Sequence, residues 1–321
     1  MRNKAKLALA ILVLLAVVIV MFNFLGKSYI WGASKPPSEV INIRIGLLPI
    51  EDSVPFIVAK YEDLYAKYGV NASIVMYGSA MGRDSAFTAG LIDVAINDPI
   101  TTLILADKGV DLKIISLLLG EYPEDGLFYL LASPDSDIEV PKSIAISKNT
   151  IIEFAAWHIV KGLNVNPESI NWIDVPPIPV RFQMLIEGKV EGAVLPDPWG
   201  TLAIAKGAKL IADDRILETP ITMTVIIARS DVASYSVALK LRSVLNEALG
   251  LYKANPEKYR EVIEKEIFIP EELKGKWLPK WRGNIVDYPK NNFELVNSWL
   301  LEKNLISKPL SYEAITLVLK E

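Results

Sequence analysis

"GLIDVAINDPITTLILADKGVDLKII", residues 90–115, and "GKVEGAVLPDPWGTLAIAKGAKLI", residues 188–211, are two copies of one pattern. Each opens on Gly and passes through a short apolar run to Asp-Pro. Each then continues through Thr and an apolar helical stretch, stops at a second Gly and ends in another short apolar run. Short apolar runs alternating with helix-length segments predict βαβ units and a parallel sheet. The offset is 98 residues at Gly90/Gly188, 99 at Asp98/Asp197 and 98 again at Gly109/Gly207. That period is too long for a solenoid and fits two lobes of like construction.

Working outward, strands are predicted at 41–48, 72–77, 92–96, 112–119 and 127–132, with helices at 53–68, 80–90 and 99–108 between them. The alternation restarts with strands at 143–146, 170–175, 190–195, 209–212 and 222–228, and helices at 151–161, 180–188 and 198–206. From 232 onward the chain reads as mostly helical. The fold class is therefore α/β, two lobes each built on a mostly parallel sheet flanked by helices. The expected organisation is 36–134 for lobe 1, 135–218 for lobe 2, and 219–321 returning to lobe 1. Crossings between lobes are expected near 132–137 and 214–222.

Residues 1–35 differ from the rest. Arg2, Lys4 and Lys6 precede an uncharged run over 7–26, about long enough to span the ~30 Å hydrocarbon core of a bilayer. Positive charge before the run places the N-terminus inside and the remainder outside. An uncleaved anchor is expected, followed by a stiff linker at 34–38. The competing reading is a secretory signal peptide, whose apolar region is usually shorter. Five of the 34 basic residues and none of the 38 acidic ones lie in this segment, so the rest carries 29 against 38, a net charge of −9. An acidic body argues against nucleic acid as a partner. The chain has no cysteine and one histidine, His158. This removes disulfides and Cys nucleophiles and leaves too few ligands for an ordinary zinc site. His158 reads as a structural side position on a helix, and no acid–base carboxylate pair stands out. No cofactor is expected.

Asp98-Pro99 and Asp197-Pro198 have two readings. Asp is a favoured N-cap and Pro a favoured first helical residue. Yet each Asp stands where a parallel strand ends and a helix begins, the edge at which open α/β sheets bind ligands. The other strand ends of that edge carry Glu51, Asp52 and Ser53, then Gly78 and Ser79, and Asn97 beside Asp98. In the second lobe they carry Ser147, Lys148, Asn149 and Thr150. Ser53 reads as an N-cap, and Thr150 with Glu153 fits a capping box. Arg181, after the rigid "PPIPV" at 176–180, is either a surface cation or a bidentate anion ligand. Trp199 is either core or a stacking wall.

"IGLLPIEDSVPFIVAKYEDLY", "GLIDVAINDPITTL", "SIAISKNTIIEF" and "PPIPVRFQMLIEGKVEGAVLPDPWGTLAIAKGAKLIADD" resemble the extracytoplasmic solute-binding proteins of ABC importers in the nitrate/sulfonate/taurine and thiamine-precursor group. The resemblance runs from about residue 41 to the end. It implies a two-lobed, type II periplasmic-binding fold that closes on a small solute and serves an ABC permease with its ATPase subunits. It also implies that the solute contacts fall among the strand-end residues already named, from Ile50 to Ser53 through Asp197 to Trp199. The Cys-rich motif of the related thiamine-pyrimidine synthases is absent, which argues against that enzymatic branch. Glu51, Asp52, Asp98 and Asp197, set against Lys148 and Arg181, suit a zwitterion or an aminopyrimidine better than a bare anion.

Overall fold

A computed structural model describes residues 40–134, 136–217 and 219–319. The strands are β1 (Ile41–Leu47), β2 (Val70–Met76), β3 (Val94–Asn97), β4 (Leu112–Leu119), β5 (Phe128–Ala132), β6 (Ser143–Ile146), β7 (Asn171–Asp174), β8 (Gly192–Pro196), β9 (Lys209–Asp213) and β10 (Thr224–Arg229). The helices are α1 (Val54–Tyr61), α2 (Leu64–Lys67), α3 (Ala80–Thr88), α4 (Pro99–Asp107), α5 (Ile151–Gly162), α6 (Ile178–Ile186), α7 (Trp199–Ala205), α8 (Tyr235–Ala254), α9 (Arg260–Glu266), α10 (Lys290–Glu302) and α11 (Tyr312–Ile315). The apolar run expected as a membrane anchor lies outside the described residues. Among the described residues no helix is long and apolar enough to cross a membrane.

Two five-stranded sheets carry the fold, in the orders β2-β1-β3-β10-β4 and β7-β6-β8-β5-β9. β1 pairs in parallel with β2 and β3, and β6 in parallel with β7 and β8. β10 runs antiparallel between β3 and β4, and β5 antiparallel between β8 and β9. Each sheet thus holds four strands of one direction and one reversed strand. β3 and β8 sit inside their sheets, and their apolar runs are almost wholly buried, as strands covered on both faces require.

The position of β5 corrects the expected boundary. Lobe 1 was expected to run to residue 134, with a crossing at 132–137. Because β5 pairs with β8 and β9, the chain has already crossed between Leu119 and Phe128. Periodicity cannot say which sheet a short apolar strand joins, since hydrogen-bonding partners are tertiary. The return crossing lies between Asp213 and Thr224.

The repeated glycines have a common cause. Gly90, Gly109, Gly188 and Gly207 follow α3, α4, α6 and α7 with φ of +71°, +86°, +64° and +94°. Each ends a helix in the left-handed conformation that a Cβ disfavours. The helix expected over 53–68 is broken instead: Asp63 adopts φ +53° between α1 and α2. The second piece is held by Glu247 of α8, which accepts from Lys67 Nζ at 2.6 Å and Tyr68 OH at 2.6 Å. The C-terminal third is less helical than expected. Between α9 and α10 the chain runs from Ile267 to Pro289 with only one short 3-10 turn, and Pro270 and Pro279 break helical bonding there.

Candidate functional site

The carboxyl ends of the parallel strands in both sheets carry the loops that matter. After β1, Glu51 and Asp52 lie in a one-turn 3-10 helix and are buried, Glu51 to 8% exposure. Ser53 has no exposed surface, and its hydroxyl donates to the Leu48 carbonyl at 2.6 Å. The expectation of Ser53 as a side-chain cap is therefore corrected: the hydroxyl folds back on the strand end and fixes the loop that holds Glu51. After β2, Gly78 is exposed with open space around its α-carbon, and Ser79 caps α3 by accepting from Gly82 N at 3.1 Å.

Asn97 and Asp98 end β3. Asn97 is buried, its oxygen accepting from Arg83 Nη2 and from Asp98 N, both at 2.8 Å, and its amide nitrogen donating to Asp84 at 3.1 Å. These bonds tie Asn97 into a network within lobe 1. Asp98 caps α4: Oδ1 accepts from Thr101 N at 2.7 Å and Oδ2 from the Thr101 hydroxyl at 2.9 Å.

Asp197 is held differently. Its Oδ1 accepts from Thr201 N at 3.2 Å and from the Thr201 hydroxyl at 2.7 Å, and Oδ2 accepts from Tyr129 OH at 3.0 Å. α7 begins at Trp199, two residues beyond Asp197, whereas α4 begins directly after Asp98. Asp197 thus stands one residue further ahead of its helix than Asp98 does, and its second oxygen is free to accept from Tyr129.

In lobe 2, Thr150 caps α5 by accepting from Ile152 N at 3.2 Å, and its own hydroxyl donates to Ser147 O at 2.7 Å. Glu153 reaches back to Asn149 N at 2.6 Å rather than to Thr150. The expected capping box thus closes one residue earlier, where Asn149 turns with φ +59°, a conformation Asn tolerates. Ser147 is buried; Lys148 and Asn149 are exposed.

Arg181 overturns the surface reading, for it has no exposed surface. Its Nε donates to Val194 O at 2.8 Å and its Nη1 to Val175 O at 2.7 Å, joining the ends of β7 and β8, while Nη2 is buried without a partner. Burial depresses its basicity, to a pKa of about 10. Trp199 is half-buried, edge-on to Phe182 at 5.3 Å and stacked on Phe268 at 6.4 Å. Phe268 N is bonded to Pro49 O of lobe 1 at 2.8 Å. This aromatic pair therefore bridges the two lobes, as does the Lys206–Glu272 ion pair at 3.1 Å.

The site contains residues that the sequence reading passed over. Asp214, after β9, accepts from Phe128 N at 3.2 Å at the start of β5 and from the Thr222 hydroxyl within its own crossing. Asp125, in the first crossing, accepts from Arg282 N at 2.6 Å and Gly283 N at 3.0 Å. Phe268 sits in "EIFIP", which reads as core; only its place between lobes distinguishes it.

The electrostatics follow from burying so many carboxylates together. Burial raises Glu51 well above the usual carboxylate range, and the charges of Asp197, Asp52, Asp125 and Asp214 raise it further. Burial pushes Asp52 up to about 6 and Asp214 up to about 7. It raises Asp98 and Asp197 too, against hydrogen bonds from Thr101 and from Thr201 and Tyr129. The His158 ring nitrogen Nδ1 lies 2.9 Å from Phe154 O within α5, and burial lowers the ring's basicity. Among the described residues no group of His, Cys, Asp and Glu is arranged to hold a metal ion.

Two facing sheets, each of four like-directed strands and one reversed strand, joined by two crossings, define a two-sheet α/β periplasmic-binding-protein fold. The aliphatic sulphonate binding protein SsuA from Escherichia coli superposes with a TM-score of 0.71 at 17% identity, over 85% of this chain and 96% of that one. The nitrate-binding protein NrtA from Synechocystis PCC 6803 gives 0.65 at 16% identity, over 87% and 86%. Residues 36–133 match the model of the NMT1-like family. A protein from Brachyspira hyodysenteriae, named as an ABC transporter periplasmic binding protein, is 24% identical over 267 residues, covering 76% of this chain and 75% of that one. The chain resembles the extracytoplasmic solute-binding proteins of ABC importers, as its sequence motifs imply.

Proposed function

We propose that this protein is the extracytoplasmic solute-binding component of an ABC importer, closing two lobes on a small organic solute and delivering it to a permease. The observation that carries this reading is the meeting of strand-end groups from both lobes: Trp199, just after β8, stacks on Phe268, whose N–H is bonded to Pro49 after β1, and Lys206 pairs with Glu272 beside them. The named relatives support the same role, with a sulfonate-, taurine- or nitrate-like solute. A second reading, an aminopyrimidine, is favoured by the number of carboxylates. Binding is favoured over catalysis because the single histidine is tied to its own helix at Phe154. In this reading residues 1–35 hold the domain outside the membrane, and the segments 120–127 and 214–223 form the hinge.

A melting screen of the full chain against sulfonates, nitrate, amines and aminopyrimidines tests the role, since a ligand of the folded state stabilises it by RT ln(1 + [L]/Kd). At least one solute is expected to raise the melting temperature. That solute is expected to shrink the radius of gyration in solution scattering and slow hydrogen exchange in the strand-end loops. No stabilisation by any member of the screen, with no change in scattering, would overturn the role.

A further inference from the structure

Phe268 is 64% exposed, yet it stands between Ile267 and Ile269, which are both buried. The backbone is extended here, with Ile267 at φ −108° and ψ 154°, so successive side chains point to opposite faces. Burying the two isoleucines therefore turns Phe268 outward. The run belongs to lobe 1, since Phe268 N is bonded to Pro49 O after β1 at 2.8 Å. The residues that follow are tied to α8 and α9, which pack on α1. The Tyr252 hydroxyl donates to Pro279 O at 2.7 Å, Arg260 Nη1 to Trp277 O at 3.1 Å, and Gly275 N to Glu264 Oε1 at 2.7 Å.

What Phe268 meets is lobe 2. Its ring lies 6.4 Å from that of Trp199, with 10° between the planes. Further along the same segment, Glu272 pairs with Lys206 Nζ at 3.1 Å. Trp199 opens α7 and Lys206 directly follows its last residue, so the two contacts grip both ends of one helix. That helix has seven residues and is about 10 Å long. A single contact would leave the lobes free to pivot about it, whereas two contacts a helix length apart oppose the pivot. α7 passes the hold to the rest of lobe 2. Gly200 lies so close to Tyr129 of β5 that a Cβ would come 2.1 Å from its ring, and Leu202 and Ala203 are buried. Phe182 of α6 steadies Trp199 edge-on at 5.3 Å.

We propose that residues 267–273 form a latch, which holds lobe 2 against lobe 1 through Phe268 and Glu272 independently of solute. This rests on the two-lobed binding role proposed above and adds to it how closure is set. Both contacts are made by protein groups alone, and both are partly exposed to water. Exposed aromatic and ionic contacts each shift an equilibrium by only a few-fold, so the latch biases the lobes towards closure without locking them. α7 begins two residues beyond Asp197, which makes the gripped helix continuous with the strand-end loop of β8. Releasing the latch lowers the fraction of molecules in the closed form and weakens apparent solute affinity by the same factor.

The chain has no cysteine, so Lys108→Cys and Lys142→Cys place one spin label on each lobe at exposed positions. Lys108 follows α4 and Lys142 precedes β6, each at the end of its element away from the strand-end loops. Double electron–electron resonance on the full chain without solute then reads the separation of the lobes. Phe268→Ala and Lys206→Glu are each expected to raise the population at longer distances roughly two- to tenfold over the labelled parent. The reversed pair, Lys206→Glu with Glu272→Lys, is expected to return the parent distribution. Circular dichroism should show the same fold throughout, because the substituted side chains lie at the surface. Distributions unchanged in both single variants would overturn the latch, and so would a reversed pair no more closed than Lys206→Glu. No solute enters this measurement, so its failure leaves the binding role to the melting screen, and failure of that screen leaves the latch standing.

Discussion

Asp98 gives both carboxylate oxygens to Thr101, and the helix it caps starts at the next residue. Asp197 also binds its Thr, but one oxygen turns to Tyr129 and the helix starts a residue later. The same sequence pattern therefore yields a cap in one lobe and a loop-ordering carboxylate in the other. Asp98→Ala should cost about 1 kcal/mol, the usual worth of a cap, read as a lower urea midpoint with little change in solute affinity. Asp197→Asn keeps an acceptor for Thr201, so the urea midpoint should hold while solute affinity falls roughly tenfold or more through loss of a charge-assisted hydrogen bond. An unchanged dissociation constant in Asp197→Asn would make this residue a loop brace only.

The crossing segments are the elements on which relative motion of the lobes depends. They touch closely: Gly120 adopts φ +99°, and a Cβ there would lie 2.6 Å from the Thr222 carbonyl oxygen. Asp214 of the second segment adds one hydrogen bond, from Phe128 N where the first segment enters β5. Gly120→Ala should therefore destabilise on two counts, a strained φ and a backbone collision, by about 1–3 kcal/mol. Chemical denaturation of wild type and variant checks this. A cost within error of zero would mean that the two segments do not approach as closely in solution. Reading the sequence as an alternating series locates nearly every strand and helix, yet it assigns β5 to the wrong lobe. An apolar pentapeptide reads alike in either sheet; its antiparallel partners β8 and β9 are set only when the chain has crossed.

At the scale of the whole molecule, the burial of acids between two lobes gives stability an unusual dependence on pH. Asp52 and Asp214 titrate at about 6 and about 7, and Glu51 is also raised, while in the unfolded chain such groups titrate near 4. Folded protein then holds more protons than unfolded protein between these limits. The stabilising effect is complete below about pH 4 and is lost as pH rises through 6 and 7. Acids with lowered values, such as Glu313 at about 2 beside Lys290, act in the opposite sense but outside this window. The unliganded protein should melt higher at pH 5 than at pH 8, and Asp214→Asn should flatten that slope. A melting temperature that rises steadily from pH 5 to pH 8 would show that these acids are ionised and solvated in solution.

The amino-acid sequence by itself determined the elements. Apolar periodicity, Asp-Pro starts and left-handed Gly stops are local, and each acts through the backbone of the few residues around it. The duplicated junction also pointed to two lobes, because each copy reads as one strand–helix–strand unit. The tertiary structure alone decided which sheet receives β5, that Arg181 lies beneath the surface bridging two strand ends, and that Phe268 stacks on Trp199. It alone buried Glu51 within the fields of four other acids. Burial, pairing and the field at a carboxylate depend on residues that only the folded chain brings together, and no local pattern in the chain records them.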